Sequence, residues 1–162
     1  MTILGIDPGL SGAVCVRSES SSSVIEVWNL PTLVIERGGK KKRTLDADAL
    51  ASNVASIGEI EMAYVELSGS MPGQGVSSTF AYGMCFGQIL GILAALKVPR
   101  TFVSAARWKR ALRVPAAKDG ARKRASELMP SAAHFWPLSK DHGRAEAALI
   151  AWWGVSSRGG TT

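Results

Sequence analysis

The chain is expected to fold as an α/β domain built on a mixed five-stranded sheet flanked by helices. Three observations predict this. The first third contains three β-rich runs separated by turn residues, strand-like and helix-like segments then alternate, and two of the strand-like runs end in a carboxylate. At 162 residues the chain suits one domain with a substantial core, over residues 1–155, with 156–162 as a flexible tail.

Thr2 to Ile6 is the first strand, and Asp7-Pro8-Gly9-Leu10-Ser11-Gly12 turns the backbone into a second, Ala13 to Arg17. Ser18 to Ser23 is a polar hairpin loop leading to a third strand, Val24 to Trp28. Glu36 to Arg43 is polar and basic and is expected to be a mobile loop. Asp46 caps a helix through Ile57, with Ala47, Leu50, Ala51 and Val54 at helical spacing. Met62 to Glu66 repeats the first pattern, an apolar run closed by an acid. The first three strands should be antiparallel and the later ones parallel to the first, so that Asp7 and Glu66 emerge at one end of neighbouring strands.

Ser77 or Ser78 opens a long helix to about Leu96. Its Gly83, Gly87 and Gly91 share one face, which predicts close approach to the sheet or to a partner helix. Arg100 to Val103 is a core strand, and Ser104 caps a helix carrying Trp108 and Leu112. A further helix runs from about Lys118 to Leu128, with Ala121, Ala125 and Leu128 inward. The last begins near Asp141 or His142 and ends near Trp153, with Ala145, Ala148, Leu149 and Trp152 as its core stripe.

The net charge of +6, with a pI near 9.7, favours a polyanionic partner such as nucleic acid, with membrane surfaces and plain solubility as alternatives. Cys15 and Cys85 are too few and too dispersed for a zinc site or a disulfide framework. They are expected as buried thiols in a reducing compartment. No apolar run approaches membrane-spanning length and no targeting segment is evident, which leads to the expectation of a soluble, cytoplasmic protein.

An ionised carboxylate at the end of a buried strand needs a compensating cation, although Asp7 could also serve only as a turn-former. In Asp141-His142-Gly143-Arg144-Ala145-Glu146, His142 and Glu146 share a helix face, while Asp141 lies near the N-cap. Hard divalent cations want oxygen ligands, and two such ions can cleave a phosphodiester. Asp7, Glu66 and Glu146 with one flanking group would suit that chemistry. Taken singly, such residues are more often bland: Glu66 a strand-end surface acid and Glu146 a solvated helix acid.

Gly5-Ile6-Asp7-Pro8-Gly9-Leu10-Ser11-Gly12, Val65-Glu66, Met71-Pro72-Gly73-Gln74-Gly75-Val76-Ser77-Ser78, Trp108-Lys109 and Gly143-Arg144-Ala145-Glu146-Ala147 occur in that order. Together they resemble the RuvC-type Holliday-junction resolvases, especially the phage-like branch, over about residues 1–154. The resemblance implies an RNase H-like fold, a homodimer, and magnesium- or manganese-dependent nicking of four-way DNA junctions, in the cytoplasm of a bacterium or phage-infected cell. It makes Asp7, Glu66 and Glu146 metal ligands, two ions per site. It assigns the fourth position to His142 or to the adjacent Asp141. Imidazole is a poor magnesium ligand and an adequate manganese one, so His142 could ligate or act as acid or base. Junction contacts are expected from Lys40, Lys41, Lys42, Arg43, Lys109, Lys118, Arg122 and Arg144, and from Met71, Gln74 and Phe80 near the acids.

Two further readings use the same metal chemistry or the same surface: a nuclease acting on flaps or other branched nucleic acid, and a non-cleaving junction-binding protein. A sugar-kinase-like or actin-like ATPase, which can share the Gly-Ile-Asp-Pro-Gly start, needs a second domain for which 162 residues leave no room.

Overall fold

A computed structural model describes residues 1–18, 23–67 and 75–158. In chain order the elements are β1 (Thr2–Asp7), β2 (Ala13–Ser18), β3 (Val24–Asn29), β4 (Thr32–Arg37), β5 (Lys40–Leu45), α1 (Ala47–Ser56), β6 (Met62–Leu67) and α2 (Val76–Ala95). β7 (Arg100–Ser104), α3 (Ala105–Ala111), α4 (Gly120–Leu128), two 3₁₀ turns (Pro130–Phe135 and Ser139–Asp141) and α5 (His142–Arg158) complete the chain.

The main sheet has the order β3-β2-β1-β6-β7. β1–β2 and β2–β3 pair antiparallel, whereas β1–β6 and β6–β7 pair parallel, as the sequence predicts. Strand alternation sorts the side chains into two cores. Ile3, Ala13, Cys15 and Tyr64 join the α3, α4 and α5 side, while Leu4, Ile6, Val14, Ala63 and Val65 join the α1 and α2 side. The cores are thus two apolar layers with the sheet between them. Asp7 and Glu66 share the parity of the first set, so both project towards the face that α5 covers.

That face is unusually close. A Cβ on Gly5 would strike the Ala147 carbonyl and the Ala151 backbone, and one on Gly154 would enter the Tyr64 ring. The run Ala145, Ala147, Ala148 and Ala151 is wholly buried between them. Small residues on both partners therefore let the helix axis approach the sheet almost backbone to backbone.

Several elements differ from the expectation. The basic segment is a hairpin rather than a mobile loop: β4 and β5 pair from Thr32↔Leu45 to Arg37↔Lys40. Gly38 and Gly39, at φ of 61° and 69°, supply the turn in which both central residues have positive φ. Leu33, Val34 and Ile35 on the other strand supply the β propensity that the charged run hides. β7 is the edge strand rather than a core strand, and only Val103 in it is buried. Helix α5 continues past Trp153 to Arg158, whose Nε donates to the Tyr64 hydroxyl at 2.7 Å and whose Nη1 pairs with Glu61 at 2.5 Å. Those contacts hold a terminal turn expected to fray.

Helix α2 also departs from expectation. It is, by length and composition, apolar enough to cross a membrane, with a mean hydropathy of 1.4. Cys85, Ile89 and Leu93 form its buried stripe against the sheet. Gly83, Gly87 and Gly91 lie on the opposite, exposed side, with nothing within 4 Å of an added Cβ. The glycine stripe therefore does not approach this chain's own sheet.

Candidate active site

The turn after β1 begins the site. Gly9, at φ 143°, allows the reversal, and Gly12 N–H donates to the Gly9 carbonyl at 2.9 Å. Gly12 has no room for a Cβ because the Asp7 carbonyl lies against it. Ile6 is in register with Val65, so the next residues, Asp7 and Glu66, leave the sheet as neighbours. Glu146 comes from the second turn of α5, over the same end.

The three acids are electrostatically coupled. Burial pushes the Asp7 carboxyl well above the usual carboxylate value of 3.8; the charges of Glu146 and then Glu66 add to this, and Lys109 opposes it. Glu66 is buried and its Oε2 accepts from the Trp108 indole N–H at 2.8 Å. Lys109 Nζ forms an ion pair with Glu146 Oε1 at 2.7 Å and lies 5.0 Å from the centre of the Trp108 ring. Burial alone would lower the Lys109 ammonium, but the hydrogen bond and charge of Glu146, then Glu66 and Asp7, hold it above 10.5. Trp108 and Lys109 thus act as a pair, one orienting Glu66 and the other neutralising part of the cluster. Three carboxylates against one ammonium leave a local excess of negative charge, which adds to burial in raising the Asp7 carboxyl.

Hard oxygen donors with excess negative charge are the chemistry a divalent cation requires. The donors do not stand as a ready cage: among the described residues no three Asp, Glu, His or Cys side chains are grouped closely enough to hold an ion. The Lys109 ammonium occupies one oxygen of Glu146, and its charge also acts on Glu66 and Asp7.

The two candidates for the fourth position separate. Asp141 is buried, and its Oδ2 accepts from the Leu138 N–H at 2.9 Å, closing the 3₁₀ turn before α5. His142 is exposed at the first position of α5. Neither is among the charges acting on Asp7. The residue that faces Asp7 is Gly143, three before Glu146. A Cβ there would lie 3.1 Å from Asp7 Oδ2 and 2.5 Å from the Ser11 carbonyl. Its i, i+3 relation to Glu146 was visible in the sequence, but a glycine carries no side chain to draw attention.

The expected cationic contacts divide as well. Lys40, Lys41, Lys42 and Arg43 are exposed on the hairpin. Arg43 Nη2 reaches the Leu10 carbonyl at 2.6 Å and Ser11 Oγ at 3.1 Å, tying β5 to the Asp7 turn. Lys118 is exposed. Arg122 is engaged internally, donating to the carbonyls of Trp136 and Pro137 and pairing with Asp119. Arg144 donates to Asn29 Oδ1 at 2.8 Å and to the Phe135 carbonyl at 3.2 Å. Both arginines therefore act as staples of the fold. Phe80 is 59% exposed near the start of α2. Met71 and Gln74 lie outside the described residues.

No protein-family profile and no curated protein matches the chain. Solved structures do. Over 99% of its length the chain is similar to Thermus thermophilus RuvC in complex with a Holliday-junction substrate, at a TM-score of 0.63 and 19% identity, covering 97% of that chain. It is similar over 98% to the fowlpox virus Holliday-junction resolvase, at 0.59 and 11%, covering 99% of that chain. The yeast mitochondrial resolvase Ydc2 matches over 96%, at 0.58 and 18%, with 82% of its own chain covered. The fold is therefore the RNase H-like fold of these structures, as the sequence motifs imply.

Proposed function

We propose that the protein is a metal-dependent endonuclease that resolves four-way DNA junctions by paired, symmetric nicks. The observation that carries this reading is the convergence of Asp7, Glu66 and Glu146 at one end of the sheet, where burial and then the charges of Glu146 and Glu66 push the Asp7 carboxyl above its ordinary value. Such a cluster is costly unless a cation completes it. The whole-chain likeness to solved resolvases supports junction DNA as the substrate.

Asp7, Glu66 and Glu146 would hold magnesium or manganese, two ions per site. When bound, the ions activate water and stabilise the leaving oxygen of a phosphodiester. The Trp108 indole fixes Glu66 Oε2, which limits the rotation of that carboxylate. Lys109, once released from Glu146, is partly exposed and long enough to meet a phosphate oxygen. Asp141 is committed to its turn, so His142 is the exposed side chain left to handle a proton at the start of α5.

A homodimer places two identical sites in the two-fold relation that paired nicks require. Helix α2 supports it, because its glycine stripe is exposed beside Phe80, Met84 and Leu96. Ile89 and Leu93 belong to the monomer core and add nothing to that surface.

The decisive experiment incubates the purified protein with a labelled synthetic four-way junction, plus duplex and flap controls, in magnesium or manganese. Symmetric nicks on the junction, lost in Asp7→Asn and Glu146→Gln with binding retained, are the expected result. Preferential cleavage of the flap would assign a different substrate, and undiminished nicking by either variant would remove the acids from the mechanism.

A further inference from the structure

The β4–β5 hairpin forms its own two-stranded sheet, yet it is fastened to the turn that follows Asp7. One fastening is at its root. The Leu30 N–H donates to the Gly12 carbonyl at 3.0 Å, and the Asp46 N–H donates to the Pro31 carbonyl at 2.9 Å across the base of the hairpin. Leu45, the last residue of β5, is buried there. The other fastening is Arg43, whose Nη2 donates to the Leu10 carbonyl at 2.6 Å and to Ser11 Oγ at 3.1 Å. On its α5 side the same turn has no slack. Gly143 packs so closely that a Cβ on it would lie 2.5 Å from the Ser11 carbonyl and 3.1 Å from Asp7 Oδ2. Ser11 is therefore gripped between the hairpin and α5, and the Asp7 carboxylate shares the α5 side of that grip.

We propose that Arg43 is a positioning residue for Asp7, and that the hairpin is the strut through which it sets the turn for metal binding. The inference rests on the junction-nuclease reading and gives the hairpin a task in it other than touching phosphate. The guanidinium already has hydrogen-bonding work inside the protein, on a carbonyl and a hydroxyl at the tip of the turn. Arg43 is not among the charges that act on the Asp7 carboxyl, so its influence on Asp7 runs through the backbone of the turn rather than through space. The turn itself offers little stiffness at its start, because Gly9, at φ 143°, is a residue of wide backbone freedom. Leu10 and Ser11 lie between Gly9 and Gly12, and Arg43 holds both. Partners that fix the surroundings of a metal ligand govern how well the ligand is presented, and losing one weakens metal binding. The segment of four consecutive cations is thus divided in function, with its last member turned inward to the site.

The test titrates divalent manganese into DNA-free, full-length protein and measures the free ion by electron paramagnetic resonance. Arg43→Met removes a cation, so by charge alone it would tighten manganese binding or leave it unchanged. Loss of the turn's support should instead weaken it about tenfold. Ser11→Ala keeps every charge and the bond to the Leu10 carbonyl, and should weaken manganese about threefold. Arg43→Lys, which keeps a donor on the hairpin, should recover part of the loss. In nicking assays the magnesium concentration for half-maximal rate should rise about tenfold in Arg43→Met, with the rate at saturating magnesium within about twofold of wild type. Manganese affinity that is unchanged or tighter in both Arg43→Met and Ser11→Ala would overturn the inference. If weaker junction binding in chelator were then the sole effect of Arg43→Met, Arg43 would be a phosphate contact and nothing more. The two readings fail differently. Nicking by the wild type with equal manganese affinity in the variants sinks the positioning role alone, whereas weakened manganese in a protein that never nicks sinks the nuclease reading alone. A wild type that neither binds manganese nor nicks sinks both.

Discussion

Replacing Lys109 by methionine keeps most of its stem and removes one charge from a cluster that has three of the opposite sign. The ion pair with Glu146 is 2.7 Å long, with side chains 41% and 19% exposed, so solvent screening limits it to about 1 kcal/mol. The ammonium also lies 5.0 Å from the Trp108 ring centre, worth roughly 0.5 kcal/mol at a partly exposed site. Attraction to Asp7 and Glu66 adds a smaller amount, which brings the loss to about 2 kcal/mol. For a chain of this size that corresponds to a melting temperature lower by roughly 4–8 °C. Thermal unfolding in chelator at pH 7.5 and low salt measures it. The ammonium of Lys109 is held above 10.5, so its contribution is present throughout the neutral range and is lost only as pH rises through that raised value. It also shrinks in acid, where the carboxylates protonate. A second substitution, Glu146→Gln, should make the loss from Lys109→Met smaller by about 1 kcal/mol, because the pair no longer exists to be broken. A Lys109→Met protein that melts at or above the wild-type temperature in chelator would refute the reasoning, since the ammonium could not then be what neutralises the cluster.

Asp7→Asn should abolish nicking and raise the melting temperature in chelator. The folded-state carboxyl titrates above its ordinary 3.8, so the wild-type protein loses stability as pH rises from there, and the gain of the variant should vanish in acid. Gly143→Ala should cost about 1–3 kcal/mol and reduce nicking sharply, because the new methyl meets the Ser11 carbonyl and the Asp7 carboxylate; denaturant melts and the junction gel measure the two effects. Arg158→Ala should remove hydrogen bonds to Tyr64 and Glu61, lower stability by about 1 kcal/mol and increase amide exchange in the last turn of α5. Cys15 is wholly buried and its thiol is pushed up to about 12, so iodoacetamide at pH 8.5 should label it only after unfolding, as peptide mass spectrometry can show.

The strands that bear the acids were legible because each is a short apolar run closed by a carboxylate, and their parallel register follows from the segments between them. Helix α1 was legible because Asp46 is a good cap, and its side chain does accept from the Ala49 N–H. The β4–β5 hairpin was not, because four consecutive cations masked a strand whose partner, Leu33 to Ile35, carries the apolar signal. Lys109 looked like a surface contact for phosphate in the sequence. Only the fold sets it opposite Glu146, a residue 37 positions away. The internal partners of Arg122 and Arg144 were hidden for a similar reason, since the carbonyls of Trp136, Pro137 and Phe135 and the Asn29 amide come from distant segments. Sequence spacing reveals which residues share a face, but not which distant backbone atoms that face will meet.

The seating of α5 on β1 has a consequence for how this site can respond to its ligands. Gly5 leaves no side-chain cushion beneath Ala147 and Ala151, and Gly154 locks the far end against Tyr64. The main chain of Glu146 thus rests on a hard stop. It cannot sink towards Asp7 to suit a smaller ion, and moving outward would open a gap along a buried alanine seam. Any fitting to different cations or to the strain of a bent strand must then come chiefly from rotations about side-chain bonds of Lys109 and Glu146, since Trp108 holds Glu66. The α5 side of the site is its fixed jaw, and the side chains are the adjustable one.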